Sequence, residues 1–332
     1  MPGPFIHDID PVIFSLGNVH FWFYGLSFTL GFINAHIFLR RNRERVGLSL
    51  SDVYDLTLFL AIGILLGGRA VVVFNNEWDF YRHHQELIFS PFVGGFASHG
   101  LILGGTIAVA LFCYLYKTPV RPLLDVLAIS AAIILGFGRI GNFIDGQIYG
   151  YLTDLQWGVE FPVIEGFRHP VVLYDGLKNF ALVPLLLWLR SRGAPPGRIA
   201  AVFCVLYPLL RIPIDTLRDY PSDTLGLPNG QLLNLIMLAV GIVALAVNIY
   251  RNLDRSKPRE EAKTPPPSGS LLWRRIALAA VCVFPLVIPS DATRDVSATY
   301  GHRHPIQPSI LYPAIAEDLD AADKVRKSGE PK

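Results

Sequence analysis

The sequence is poor in charge, in cysteine and in metal-ligand patterns. Only 17% of its 332 residues are charged, whereas 52% are hydrophobic, and the mean hydropathy is +0.40. This composition is too apolar for an ordinary soluble enzyme. The net charge of +2 gives no reason to expect a nucleic-acid partner.

Few residues are available for metal or nucleophilic chemistry. The three cysteines, Cys113, Cys204 and Cys282, fall in apolar segments and lack metal-ligand spacing, so we expect buried structural thiols. No spacing of histidine and carboxylates suggests zinc, and no nucleophile elbow indicates a Ser-His-Asp triad. The sequence predicts neither a metal nor a cofactor. Residues 1–19 contain no lysine or arginine, so we expect the first membrane helix to act as its own insertion signal.

Apolar runs close to the ~20 residues that cross a bilayer are abundant. Seven occur, at 20–39, 55–74, 92–116, 123–144, 172–189, 199–214 and 231–250. The predicted fold class is an all-α polytopic membrane protein with a seven-helix transmembrane core in residues 1–250. A charged, proline-rich linker (251–275), a candidate eighth short membrane segment (276–288) and a polar tail (289–332) follow.

Basic residues follow the odd-numbered runs, which indicates the orientation. They are Arg40, Arg41, Arg43 and Arg45, then Lys117 and Arg121, then Arg190, Arg192 and Arg198, then Arg251, Arg255, Lys257, Arg259 and Lys263. The pattern predicts that the N-terminus lies outside and that the linker is cytoplasmic.

With this topology, the polar residues within the runs all lie toward the outer face. They are Tyr24, Arg69, His99, Arg139, Asn142, Tyr174, Asp175, Arg211, Asp215, Asn229 and Gln231. Charged groups in a membrane are costly and usually mark a functional cavity. We therefore expect one site, open to the outer leaflet or periplasm.

The chemistry of these residues suits a phosphate. Guanidinium groups bind phosphate through paired hydrogen bonds and stay charged at any accessible pH. His99 could transfer a proton near neutral pH. A reaction in which the substrates supply both nucleophile and leaving group would fit, with the protein providing a base, an anion clamp and positioning.

Residues 138–150 read GRIGNFIDGQIYG, which resembles the signature of the prolipoprotein diacylglyceryl transferase family. Further motifs occur in the family's order: DPVIF from Asp10, YGL from Tyr24, GGR ending at Arg69, SHG around His99, RHP…LY ending at Tyr174, and Arg211…Asp215…Arg218. The resemblance covers about residues 5–250.

The resemblance implies transfer of a diacylglyceryl group from phosphatidylglycerol to the lipobox cysteine thiol of a preprolipoprotein, at the bacterial cytoplasmic membrane. Carried over by position, Arg139 would bind the lipid phosphate, Arg211 would be a second essential cation, and His99 would be the candidate base. Tyr24, Asn142 and Gly150 match further family positions. Arg69 and Asp215 complete the candidate substrate-binding residues.

Alternatives remain open at this stage. Gln147 and Val172 stand where the family usually has glutamate and glutamine, and Asp175 and Asp215 replace longer glutamates. The changes at 147 and 172 favour a non-catalytic paralogue that binds anionic lipid or lipoprotein precursors. An anion transporter is less favoured, because no inverted repeat is visible.

Individual residues also have structural explanations. Arg139 could snorkel to the interface as a topological anchor, and the same explanation applies to Arg69. His99 could hydrogen-bond a neighbouring helix. Arg211 and Asp215 could form an intrahelical ion pair. Asp125 is expected to cap the start of the fourth run.

Overall fold

The computed structural model describes residues 5–17, 19–76, 78–89, 96–146, 148–161, 164–219, 229–252 and 270–288. The side chains of residues 75, 76, 79, 80, 98, 99 and 229 are outside this description. Gln147, most of the linker and the whole tail at 289–332 also fall outside it, so the predictions made for them are not addressed by the structure.

Helices dominate the described chain, and each of the seven predicted apolar runs coincides with one. The α-helices of the described residues are α1 (Phe23–Val46), α2 (Leu50–Val71), the short α3 (Trp78–Tyr81), α4 (Ser98–Tyr116), α5 (Val120–Ile144), α6 (Val171–Ser191), α7 (Arg198–Asp215), α8 (Asn229–Arg251) and α9 (Leu271–Val283). The seven runs correspond to all of these except α3 and α9. Four helical segments are long and apolar enough to cross a membrane: Leu50–Phe74, Val120–Ile144, Val171–Ser191 and Gly230–Arg251. A helical membrane protein is therefore confirmed, and the number of crossings stays a prediction.

Two small sheets, which the apolar pattern did not predict, flank the helices. A hairpin pairs β2 (Val12–Leu16) with β3 (Val19–Trp22), directly before α1. In the second sheet β1 (Phe5–Ile6) runs parallel to β4 (Val159–Glu160), which is antiparallel to β5 (Phe167–Arg168). Strands of two to five residues are too short to produce a recognisable alternation.

The helices pack in the spatial order α4, α2, α1, α5, α6, α7, α8, and α5 also contacts α7. Glycines bring neighbouring backbones together. A Cβ added to Gly67 in α2 would lie 2.3 Å from the carbonyl oxygen of Gly100 in α4, and one on Gly104 would lie 1.9 Å from that of Gly63. Gly63 and Gly67 lie four residues apart in α2, as do Gly100 and Gly104 in α4. This spacing of small residues produces the close helix pairing typical of membrane proteins.

The α5–α6 contact determines where the candidate site forms. A Cβ on Gly176 of α6 would stand 3.3 Å from the Cβ of Arg139 on α5. On the facing turn, a Cβ on Gly136 would overlap the ring of Phe180 at 2.6 Å. The two helices therefore approach closely enough for Arg139 to reach residue 175, which immediately precedes Gly176.

Asp125 caps a helix, but not the helix that the sequence pattern indicated. It lies in the second turn of α5, and its two carboxylate oxygens accept hydrogen bonds from the backbone N–H groups of Gly197 (2.7 Å) and Ala200 (2.8 Å) at the start of α7. Because a helix N-terminus has unsatisfied N–H groups and a positive dipole end, this carboxylate joins α5 to α7.

The C-terminal segment 270–288 docks on α1 and α2. Helix α9 starts at Leu271, earlier than the predicted 276, and a 3-10 turn (Phe284–Val287) follows it. Arg274 binds both oxygens of Asp55 on α2, at 2.6 and 2.8 Å. The Thr29 hydroxyl donates to the Cys282 carbonyl at 2.5 Å. Whether this segment crosses the membrane stays a prediction.

Candidate functional site

The candidate site is built around Asp175, in the second turn of α6, whose side chain has no solvent exposure. Arg139 Nε from α5 donates to its Oδ2 at 2.5 Å, and Arg211 Nη1 from α7 donates to the same oxygen. Lys178 Nζ lies 2.7 Å from the other oxygen, Oδ1, in an ion pair without an aligned hydrogen bond. Three cations from three neighbouring helices therefore share one buried carboxylate.

Arg139 is held on a second side as well. Its Nη1 donates to Asn142 Oδ1 at 3.1 Å, one turn further along α5. A Cβ on Gly141 would be 3.4 Å from the Cα of Tyr24, so α1 and α5 are closely packed at this level. The structure thus brings Arg139, Asn142 and Tyr24 into one region.

Arg211 and Asp215 form the ion pair that their four-residue spacing predicts. Arg211 Nη2 donates to Asp215 Oδ1 at 2.9 Å, and Arg218 Nη1 lies 3.8 Å from the same oxygen. The Asp215 carboxylate is also buried. Of the five predicted substrate-binding residues besides Arg139, two, Asn142 and Asp215, are therefore direct neighbours of the two arginines.

Positive charge is in excess here. Arg139, Lys178, Arg211 and Arg218 surround the two carboxylates of Asp175 and Asp215. Toward the described residues, Arg139 uses Nε and Nη1, and Arg211 uses Nη1 and Nη2, so each guanidinium keeps N–H groups for a further acceptor. The arginine side chains are 15% and 11% exposed, which leaves an edge of each accessible. The arrangement is suited to an anion that approaches from that edge.

The start of α4, where His99 lies, is linked to this region through aromatic rings. The ring of Phe28 is 5.2 Å from that of Tyr24 and 5.5 Å from that of Phe96, which directly precedes α4. These ring contacts connect the start of α1 with the segment just before α4. The side chain of His99 lies outside the description, so its role as a base stays a prediction.

Arg69 has its described contacts in a different place. Its Nε and Nη2 donate to the carbonyls of Ile88 (3.2 Å) and Leu87 (3.0 Å), and its guanidinium lies 5.0 Å from the ring centre of Tyr81. These bonds fix the segment between α2 and α4. They give Arg69 a structural function, and binding of substrate by Arg69 stays a prediction.

Gly150 is a packing position at the junction of three chain segments. Its N–H donates to the His169 carbonyl at 2.9 Å, and it forms a bridge with Arg218. A Cβ there would be 2.7 Å from both His169 Cβ and the Leu217 carbonyl oxygen. This close approach explains the need for glycine, whereas a contact with substrate is still a prediction.

Two residues at the centre of the site were not among the candidates from sequence. The sequence marks Asp175 as a polar residue at the start of the fifth run and as the replacement of a longer family glutamate, and it does not single out Lys178. A usable signal exists, because a lysine three residues after an aspartate inside an apolar run is costly unless paired. Among the described residues, no group of three histidine, cysteine, aspartate or glutamate side chains could hold a metal ion.

The fold and the site together define a helical membrane protein with a cationic cluster at one end of its helices. The sequence model for Prolipoprotein diacylglyceryl transferase matches residues 11–247. A Geobacter sulfurreducens protein named phosphatidylglycerol–prolipoprotein diacylglyceryl transferase is 38% identical over 252 residues, which cover 73% of this chain and 96% of the relative. Proteins of the same name from Legionella pneumophila (strain Lens) and Chromohalobacter salexigens are 33% and 34% identical over 71% and 77% of this chain, and over 95% and 96% of their own lengths. The chain therefore belongs to the prolipoprotein diacylglyceryl transferase family.

Proposed function

We propose that this chain transfers the diacylglyceryl group of phosphatidylglycerol to the lipobox cysteine thiol of a preprolipoprotein and releases glycerol phosphate. The observation that carries the proposal is the pair Arg139 and Arg211, which share Asp175 Oδ2 and keep N–H groups for an anion. The names of the relatives supply the two substrates. Membership of the family agrees with this chemistry.

In the proposed reaction, the thiol proton passes to a base, for which His99 is the candidate. The sulfur attacks the glyceryl carbon that is bonded to the phosphate oxygen. A C–S bond forms, the C–O bond breaks, and its electron pair stays on the phosphate oxygen of the leaving glycerol phosphate. Negative charge therefore develops next to Arg139 and Arg211, whose guanidinium groups stabilise it.

The proposed topology has seven crossings in the bacterial cytoplasmic membrane, with the N-terminus outside and the site toward the outer leaflet. Its support is that Arg139 lies near the end of α5, Asp175 near the start of α6 and Arg211 near the end of α7. Successive antiparallel helices place these ends on one side. The basic loops follow the opposite ends, as the positive-inside rule requires.

The test uses purified protein, labelled phosphatidylglycerol and a lipobox peptide. We expect Arg139→Ala to lower the transfer rate by a factor of about 10² or more, the usual effect of removing one donor to a developing charge. Arg192→Ala is the control, because Arg192 lies at the opposite end of α6 from Asp175, where its guanidinium is 5.5 Å from the ring centre of Trp188. Full activity of Arg139→Ala would refute the catalytic role. Lipid binding by the wild type without release of glycerol phosphate would favour the non-catalytic alternative.

A further inference from the structure

We propose that Lys178 and Asn179 are positioning residues that retain the Asp175 carboxylate when the lipid phosphate takes over the two arginines. The inference rests on the proposed function, because it needs an anionic ligand at Arg139 and Arg211. It adds to that function an exchange of partners: Asp175 passes from the two arginines to Lys178 and Asn179 when the phosphate binds.

The exposure of the side chains gives the order of approach. Those of Arg139 and Arg211 are 15% and 11% exposed, whereas those of Asp175 and Lys178 are 0% and 4% exposed. An incoming anion therefore meets the arginines first, and Asp175 lies behind them. Because both arginines bind Oδ2, the anion and this oxygen compete for the same guanidinium groups.

Lys178 is placed to keep Asp175 paired during that competition. Its ammonium group is 2.7 Å from Oδ1, the oxygen that neither arginine binds. The ammonium also lies 3.6 Å from the ring centre of Tyr207, so it is held from a second side by a cation–π contact. A carboxylate left buried without a cation would be strongly unfavourable. Lys178 removes this penalty without using an arginine.

Asn179 offers a hydrogen-bond donor to Asp175 Oδ2, the oxygen that the two arginines bind. It lies four residues after Asp175, which places the two side chains on one face of α6. Asn179 has no solvent exposure, and neither its Nδ2 nor its Oδ1 has a hydrogen-bond partner among the described residues. Such an unsatisfied buried amide destabilises the fold unless another state uses it. Donation from Nδ2 to Oδ2, after the arginines turn to the phosphate, would use it.

The first variant is Lys178→Met, which retains the length of the side chain and removes its charge. In micelles that contain phosphatidylglycerol, we expect the KM for this lipid to rise roughly tenfold with little change in kcat, because Asp175 then competes more strongly for the arginines. Lys117→Met is the matched control. Lys117 also lies over a tyrosine ring, that of Tyr114 at 4.7 Å, but at the opposite end of α4 from His99.

The second variant, Asn179→Leu, separates this role from a purely structural one. Replacing a buried unsatisfied amide by an apolar side chain of similar volume should leave the melting temperature in detergent unchanged or higher. The same variant should nevertheless raise the KM for phosphatidylglycerol several-fold. A residue that only supports the fold would not combine unchanged or higher stability with weaker lipid use.

The outcomes distinguish the inference from the function on which it rests. An unchanged KM in both variants, with an active wild type, overturns the inference and leaves the proposed function intact. If the wild type releases no glycerol phosphate, the proposed function fails. The inference is then tested by binding of phosphatidylglycerol micelles, with phosphatidylcholine micelles as the zwitterionic comparison. Equal binding by wild type and both variants would overturn it.

Discussion

Asp125 provides a sharp test of structure against chemistry, because it lies in the transferase core and its carboxylate binds backbone N–H groups of another helix. Its oxygens accept two N–H bonds, at 2.7 and 2.8 Å, from the start of α7, the helix that carries Arg211 at its other end. Hydrogen bonds to a charged group contribute about 1.5–3 kcal/mol each. We therefore expect Asp125→Ala to lower the free energy of unfolding by about 3 kcal/mol, allowing for some compensation by water at the helix end.

The measurement is thermal unfolding in detergent, paired with transfer activity per folded molecule. For a chain of 332 residues, 3 kcal/mol corresponds to a fall in Tm of about 4 °C. Asp125→Asn should lose roughly half as much, because its amide offers one acceptor oxygen. Asp154→Ala, at an exposed loop position, should change stability by no more than about 0.5 kcal/mol. If Asp125→Ala keeps the wild-type Tm but loses transfer activity, the carboxylate acts in the chemistry and this reasoning is wrong.

Two other substitutions test the packing around the site and the C-terminal segment. Asp175→Asn should destabilise the protein by about 3–5 kcal/mol, since it leaves buried cations without their carboxylate. The control is Asp219→Asn, at a carboxylate that is 38% exposed, which should cost at most about 1 kcal/mol. Equal melting temperatures of the two variants would contradict the central role of residue 175. Gly25→Ala should detach segment 270–288, because its Cβ would be 2.0 Å from the Pro285 carbonyl oxygen, whereas Gly138→Ala has nothing within 4 Å of its Cβ. Limited proteolysis should cleave the first variant faster, and identical digestion patterns would show that the segment accommodates the methyl group.

The helices could be predicted from sequence because the bilayer imposes their length. Every predicted run has a helix, and the ends differ by a few residues: α2 starts at Leu50 instead of the predicted 55, and α9 at Leu271 instead of 276. The ion pair of Arg211 and Asp215 was also predictable, since a four-residue spacing is a local property of one helix. Both inferences needed no knowledge of which helices are neighbours.

Contacts between helices could not be predicted in the same way. Asp175 joins α5, α6 and α7, and nothing within its own helix indicates that Arg139 and Arg211 choose the same oxygen. Asp125 has the composition of a local cap but reaches a helix that begins more than 70 residues later. The spacing rules of a single helix say which side chains share a face, but they do not say what that face meets.

The departures from the family pattern differ in their surroundings: residues 175 and 215 contact arginines, whereas residue 172 is buried. Asp175 and Asp215 are shorter than glutamate, yet both carboxylates contact arginines, and Gly176 allows α5 to come close enough for the shorter side chain. Val172 is 1% exposed, so the residue at this position packs inside the protein. The carboxylate charge and its pairing with arginine are therefore preserved at residues 175 and 215. The guanidinium groups of Arg139 and Arg211, which would stabilise a leaving phosphate, are therefore in place. Their presence favours turnover over lipid binding alone.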